Sequence, residues 1–351
     1  MSSSTDTWLL ACPVPSAGDE RILLAHGEGG LLTRKLIRQV LAPALDNPLL
    51  RPLADGATLP QPTGRLVMTT DSFVVSPLFF PGGDIGSLAV HGTVNDLAVC
   101  GARPLYLSVG LILEEGLPLE TLRRVIASMA QAAKACGVEI VTGDTKVVPC
   151  GAADQLFINT TGIGVLADGV DWGTHRIQPG DRILVSGTIG DHGMAILTTR
   201  EQLELEGDLT SDSASLASLI EPLHNLGTDI RFLRDPTRGG VAAVLHEIAD
   251  AAKIGVVIEE QALPLSLSVR GASALLGLDP LFVANEGKAI VIVAPDAVDK
   301  VLSLLPSHPL GRNAAVIGII TAEVGQVLVR GPLGALRVLD EPTGAPLPRI
   351  C

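Results

Sequence analysis

Apolar positions along this chain follow two rhythms that alternate. Runs at Arg65 to Thr70, Tyr106 to Leu113, Val138 to Thr142 and Leu156 to Leu166 have the length and composition of strands. Between them, Leu31 to Leu45 has helical spacing, and so do Leu122, Val125, Ile126, Met129, Ala133 and Cys136. That second stripe is punctuated as a helix should be, with Pro118 at its first turn, Lys134 in its last and Gly137 just beyond. Pro, Gly and Asp clusters between Asn47 and Gly64 predict a surface loop.

A second unit begins near the turn Pro179-Gly180-Asp181. There the pattern predicts strands at Arg182 to Ser186, Gly255 to Ile258, Ala289 to Val293 and Ala315 to Ile320, with helices over Gly240 to Ala252 and Val298 to Leu305. The expected fold is mixed α and β, in two α/β domains over residues 21–175 and 176–339. They are flanked by a disordered extension at 1–20 and a flexible C-terminal tail at 340–351. A length of 351 residues agrees with about two domains.

Composition narrows the function classes. Hydrophobic residues make up 47% of the chain at a mean hydropathy of +0.41, which is ample for a core, yet no apolar run approaches the roughly 18 residues of a membrane span. The first twenty residues hold no Lys or Arg and no secretory apolar stretch, so the expected location is cytoplasmic, with no membrane partner. A net charge of −13 with six Phe, one Tyr and two Trp argues against a nucleic-acid surface. The five cysteines are odd in number and widely spaced, suggesting neither a disulfide framework nor a zinc site.

Candidate chemistry lies in short polar clusters at strand ends. Asp71, Asp96, Asp144 and Asp235 each sit beside small residues, and carboxylates converging from separate segments suit a hard cation such as Mg²⁺ arriving with phosphates. Singly, each reads more readily as a turn or a helix cap, and it is the set of four that points to a cation. His26-Gly27-Glu28-Gly29-Gly30 precedes the first helix and offers backbone amides to phosphate, although it is neither a Walker A loop nor a dinucleotide fingerprint. Asn285-Glu286-Gly287-Lys288 can supply a base or form a polar turn. Lys146 can bind phosphate or move protons, and His91 can orient a substrate or satisfy a helix terminus.

The chain ends DEPTGAPLPRIC, where three prolines and a glycine oppose helix and interior strand. Stretched out, these residues reach on the order of 35 to 40 Å. Cys351 is therefore expected to be exposed on a tether. The residues alone leave open whether it is a covalent carrier or an incidental cysteine on a frayed end.

Together TTDSF at 69–73, HGTVNDLAVCGARP at 91–104, GDTKVV at 143–148, GDHG at 190–193, DPTRGG at 235–240, NEGK at 285–288 and the terminal PRIC resemble the HypE family of hydrogenase maturation proteins. That family lies in the superfamily of aminoimidazole ribonucleotide synthetase, selenophosphate synthetase and thiamine monophosphate kinase. The resemblance runs from about His26 to Cys351. It implies an ATP-dependent carbamoyl dehydratase: the carbamoyltransferase HypF loads Cys351, ATP activates the carboxamide oxygen, and phosphate loss leaves a thiocyanate, whose cyanide passes to iron on a HypC and HypD scaffold for NiFe hydrogenase. ATP and Mg²⁺ are the implied cofactors, with Asp71, Asn95, Asp96, Gly143, Asp144 and Asp235 as binding residues and the four aspartates as metal candidates. Lys146 and Glu286 are the implied proton acceptors, with His91 and Asn285 beside them. A homodimer formed through the N-terminal halves is also implied. Rival readings are another ATP-dependent superfamily enzyme, such as a small-molecule kinase or selenophosphate synthetase, which would not need the tail, and a non-catalytic maturation adaptor.

Overall fold

The structure is a computed structural model that describes residues 20–203, 207–341 and 349–351. The extension expected at the N-terminus lies almost wholly outside the described residues, as do residues 342–348 of the tail. Leu31 to Leu45 forms a helical segment made of α1 (Leu31–Leu36), a wider π turn (Ile37–Leu41) and α2 (Ala42–Ala44). After an exposed loop, the first sheet is built from β1 (Leu66–Phe73), β4 (Ala102–Glu114), β5 (Glu139–Val148) and β6 (Leu156–Leu166) in the order β1-β6-β4-β5, with a small hairpin of β2 (Phe79–Phe80) and β3 (Gly83–Asp84) beside it. β4 and β5 run parallel, joined by the crossover helix α4 (Leu119–Cys136). Gly137 closes that helix in the left-handed conformation, φ 68°, and the predicted stripe faces the core, with Leu122, Val125, Ile126 and Met129 fully buried.

The long helix α3 (Ile85–Val99) has no counterpart in the sequence reading, for a physical reason. It is buried on every side, from Ile85 and Leu88 round to Val94 and Leu97, so it shows no apolar stripe for periodicity to detect. Asp84 starts it by accepting from the amides of Gly86 and Ser87 at 2.7 and 3.2 Å. Gly92 lets it lie flat on the sheet: a Cβ there would stand 2.8 Å from the Phe73 ring.

The second unit holds β7 (Arg182–Val185), β8 (Ile230–Arg234), β9 (Gly255–Glu259), β10 (Ile290–Val293), β11 (Ala315–Thr321), β12 (Val327–Arg330) and β13 (Leu336–Val338). They form one sheet in the order β13-β12-β9-β11-β7-β10-β8. Around it lie α5 (Asp191–Arg200), α6 (Ala217–Ile220), α7 (Gly240–Ala252), α8 (Leu267–Leu276) and α9 (Val298–Leu304). The central strands are apolar throughout because both their faces are covered, and β10 is buried at every residue. Among the described residues no helix is long and apolar enough to cross a membrane.

Candidate active site

Where the two units meet, carboxylates gather. Alternation along β1 turns Thr69, Asp71 and Phe73 inward toward α3 and leaves Leu66, Met68, Thr70 and Ser72 exposed. Asp96 comes from α3 and accepts from Thr69 Oγ1 at 2.6 Å. Asp235 follows β8 and is buried. Burial and the neighbouring Asp96 raise Asp235 to about 7, and Asp71 adds to the effect. Asp71 and Asp96 are raised as well, chiefly by burial, with Asp96 acting further on Asp71.

Glu286 stands above this group at 2% exposure. Burial, then the charges of Asp235, Asp212, Asp71 and Asp96, hold its carboxyl well above the usual range. Its Oε1 is buried and has no hydrogen-bond partner, an orphaned acceptor aimed into a site rather than committed to structure. Asp212 braces this turn, its Oδ1 accepting from the Glu286 amide at 3.1 Å and its Oδ2 lying 3.0 Å from buried Lys288 Nζ.

Cys351 ends the chain in the same place, partly buried, which corrects the expectation of an exposed thiol. Burial raises its pKa most strongly, Glu286 and Asp71 add to the rise, and Arg238 opposes it. The docked sulfur is therefore a protonated thiol.

Other predicted residues take different places. Asn95 is fully occupied with the backbone, donating to the carbonyls of Ala214 and Glu286 at 2.9 and 3.1 Å and accepting from the Leu216 amide at 2.7 Å. Asn285 likewise accepts from the Gly190 amide at 2.7 Å and donates to the Pro236 and Val283 carbonyls. Both hold the loops that carry Asp235 and Glu286. His91 pairs with Ser213 Oγ at 3.1 Å, and burial lowers its pKa to about 4, so its imidazole is neutral.

Asp144 and Lys146 do not join Cys351 within one chain. The row Ser72, Asn159, Gly110, Asp144 crosses all four strands, which puts Asp144 three strand spacings, about 14 Å, from β1. It also faces the opposite side of the sheet from Asp71. Lys146 Nζ lies 2.7 Å from Asp144 Oδ2, both side chains being exposed, and this pairing lowers the Asp144 pKa. The His26 to Gly30 turn lies against β5. Under that edge is a cavity of about 170 Å³ lined by Ile37, Leu41, Leu45, Leu53 and Ile140 together with Thr142, Gly143 and Asp144. Among the described residues no three His, Cys, Asp or Glu side chains are gathered closely enough to hold a metal ion.

Local patterns did not single out Asp212, Arg238, Asp154, His192 or Arg200. His192 and Arg238 sit inside GDHG and DPTRGG, where a polar residue followed by glycine was the available signal; the other three carry none. Cys100 and Cys136 are free thiols.

Comparison with known proteins gives a consistent result. Models of AIR synthase related proteins match in two pieces, the N-terminal domain over residues 53–166 and the C-terminal domain over residues 178–330. The chain is 50% identical over 333 residues to carbamoyl dehydratase HypE of Rhizobium leguminosarum bv. viciae, covering 94% of this chain and 95% of that protein. A crystal structure of hydrogenase maturation protein HypE in complex with ATP matches with a TM-score of 0.90 at 49% identity, covering 94% of this chain and 99% of that one. A HypE–HypF complex matches with a TM-score of 0.78 at 49% identity, covering 88% and 99%.

Proposed function

Because the chain belongs to the carbamoyl dehydratase HypE family, we propose that it uses ATP to dehydrate an S-carbamoyl group on its own Cys351 to a thiocyanate. The observation that carries this reading is the terminal thiol seated beside a buried glutamate that has an unpartnered oxygen. Such a pairing leaves a carboxylate oxygen free to take a proton, which is what proton removal from a thiol-bound carboxamide requires.

The reaction balances in two stages. The γ-phosphoryl group of ATP passes to the carboxamide oxygen and one N–H proton leaves, giving an S-linked imidate phosphate and ADP. The C–O bond then breaks, phosphate departs with the oxygen, and the second N–H proton leaves as S–C≡N forms. Phosphate leaves far more readily than hydroxide, which is the reason for ATP. Glu286 becomes a base only after losing its own proton, and its raised pKa then makes it a strong acceptor. The raised thiol pKa helps in a different way: an acidic, buried pocket makes thiolate a poor leaving group, so the C–S bond survives while the C–O bond breaks.

The donor chemistry of Asp71, Asp96 and Asp235 suits Mg²⁺: all are oxygen ligands whose pKa values are raised, chiefly by burial, with neighbouring carboxylates adding to the rise at Asp71 and Asp235. Mg²⁺ ordinarily takes only one or two carboxylates and completes its shell with water and phosphate, so the absence of a three-residue cluster is compatible with it. When bound, the ion would neutralise phosphate charge. The glycine-rich turn at 26–30 and the cavity beneath β5 are our candidates for holding the nucleotide, with Gly143 and Asp144 on its wall.

A homodimer is part of the proposal. Leu66, Met68 and Ile112 are 61%, 71% and 42% exposed on the outer face of the first sheet, an apolar surface suited to a second copy. Such pairing would let the Lys146 edge of one copy approach the Cys351 pocket of the other, making Lys146 available for the second proton. HypF is the proposed carbamoyl donor, HypC and HypD the proposed acceptors, and the cytoplasm, which supplies ATP, the proposed compartment.

The test is mass analysis of the C-terminal peptide after incubation with HypF, carbamoyl phosphate and ATP. The expected result is a carbamoyl adduct on Cys351 that loses one water only when ATP is present. An unmodified tail, or the same adducts on Cys351→Ala, would overturn the reading.

A further inference from the structure

The last three residues are held in a cleft that spans both units. They lie antiparallel to residues 74–76, with the amides of Val74 and Ser76 donating to the carbonyls of Cys351 and Arg349 at 3.1 and 3.3 Å. Arg200, at the end of α5, clamps the two strands together, its Nε donating to Ser76 O at 3.0 Å and its Nη2 to Arg349 O at 2.7 Å. His192, also on α5, is fully buried and binds the Ile350 carbonyl through Nε2 at 2.9 Å, while Nδ1 pairs with Ser211 Oγ at 2.7 Å. These bonds engage the tail's backbone, and backbone bonds would accept any sequence.

The side-chain contacts are selective. The Arg349 guanidinium binds Asp154 Oδ2 through Nη1 and Val74 O through Nε at 3.1 Å. It also lies 5.7 Å from the centre of the Phe157 ring. A carboxylate, a carbonyl and an aromatic face around one planar fork form an arginine pocket, and a lysine would keep the charge but lose the geometry. Ile350 is 3% exposed and packs into the main core cluster, so its position is restricted by size. The thiol follows directly after these two anchors.

We propose that this cleft is a sequence-reading peptide site for the chain's own Arg349-Ile350-Cys351, in which Asp154 and Arg200 are positioning residues that seat the cysteine. The proposal rests on the reading of Cys351 as the carrier. The two residues before the cysteine are its anchors: one is an arginine held by the first unit, and the other is a buried isoleucine held through its carbonyl by the second. Seating the tail thereby ties both units around the sulfur.

The experiment measures iodoacetamide alkylation of Cys351 in the full chain, read from the mass of the C-terminal peptide. Asp154→Arg and Arg349→Asp should each speed alkylation by about tenfold, the effect of losing one charge-assisted contact. The double variant, with the pair reversed, should recover at least half of the lost protection; a merely structural role for Asp154 would not produce that rescue. Single variants alkylated at the wild-type rate, or a double variant no better protected than the singles, would overturn the cleft. The readout needs no turnover. If the variants behave as predicted while the wild type forms no thiocyanate, the dehydratase reading fails and the cleft stands; if alkylation is unmoved while dehydration proceeds, the cleft fails and the reading stands.

Discussion

Asp71 and Asp144 are both aspartates in strands of the same four-stranded sheet, yet their surroundings differ in every respect that matters to chemistry. Asp71 lies on the β1 edge facing α3, and its pKa is raised by burial. Asp144 lies on the β5 edge facing outward, and its pKa is lowered by its bond to Lys146. The first belongs to a pocket that suppresses charge and holds a neutral thiol. The second belongs to an exposed edge beside a glycine-rich turn and an apolar cavity, with an ion pair already formed. Both motifs are needed in the proposed reaction, but one chain keeps them about 14 Å apart on opposite faces. In the proposed reaction the site is therefore divided between the two edges, and the proposed homodimer would complete it.

The largest expected effect tests the pocket alone. Glu286→Ala should slow dehydration by about a thousandfold while carbamoylated Cys351 accumulates, as peptide mass would show; normal conversion would remove Glu286 from its role as base. Next, the divided site is tested by mixing Glu286→Ala with Lys146→Ala. Each should be nearly inactive alone, and an equal mixture that exchanges subunits should regain about a quarter of the wild-type rate, because half the dimers would carry one intact site. A mixture as inactive as its components would mean that Lys146 does not serve the partner's pocket.

A smaller effect separates the two edges by pH. Asp235 has a folded-state pKa of about 7 against an ordinary 3.8, so the folded protein keeps a proton that the unfolded chain releases. Its contribution to stability therefore falls as pH climbs from about 4 to 7. Asp235→Asn should leave stability unchanged near pH 4 and raise it by about 1 to 2 kcal/mol at pH 8 in urea unfolding. Asp144→Asn should not show that gain, since its own pKa is lowered. A comparable effect concerns packing of the sheet's inner face: Gly92→Ala should cost about 1 to 2 kcal/mol by pressing on Phe73, whereas Thr161→Ala on the outer face should stay within about 0.5 kcal/mol.

What could be read in the sequence follows the same division. β6 and α7 fall on the predicted residues, and α4 falls within its predicted bounds, because strand alternation or caps mark each of them locally. Burial on all sides hid α3. The terminal PRIC suggested a carrier thiol only through the family resemblance, and prolines and glycine around 340–348 suggested only a free end, since the contacts that hold Arg349 and Ile350 come from residues more than 140 positions away, such as Arg200 and Asp154. The aspartates were visible one by one. Strand order and register separate Asp144 from Asp71, and only the packing of α3 and the second unit against β1 brings Asp96 and Asp235 to Asp71.

If ATP activates the oxygen of a carboxamide held on Cys351, an isotope can follow that oxygen. The protein would be carbamoylated with a heavy-oxygen label in the carbamoyl group, given ATP, and the released phosphate analysed by mass. One labelled oxygen is expected in inorganic phosphate for each thiocyanate formed on Cys351. Label recovered in water, with unlabelled phosphate, would contradict activation by ATP.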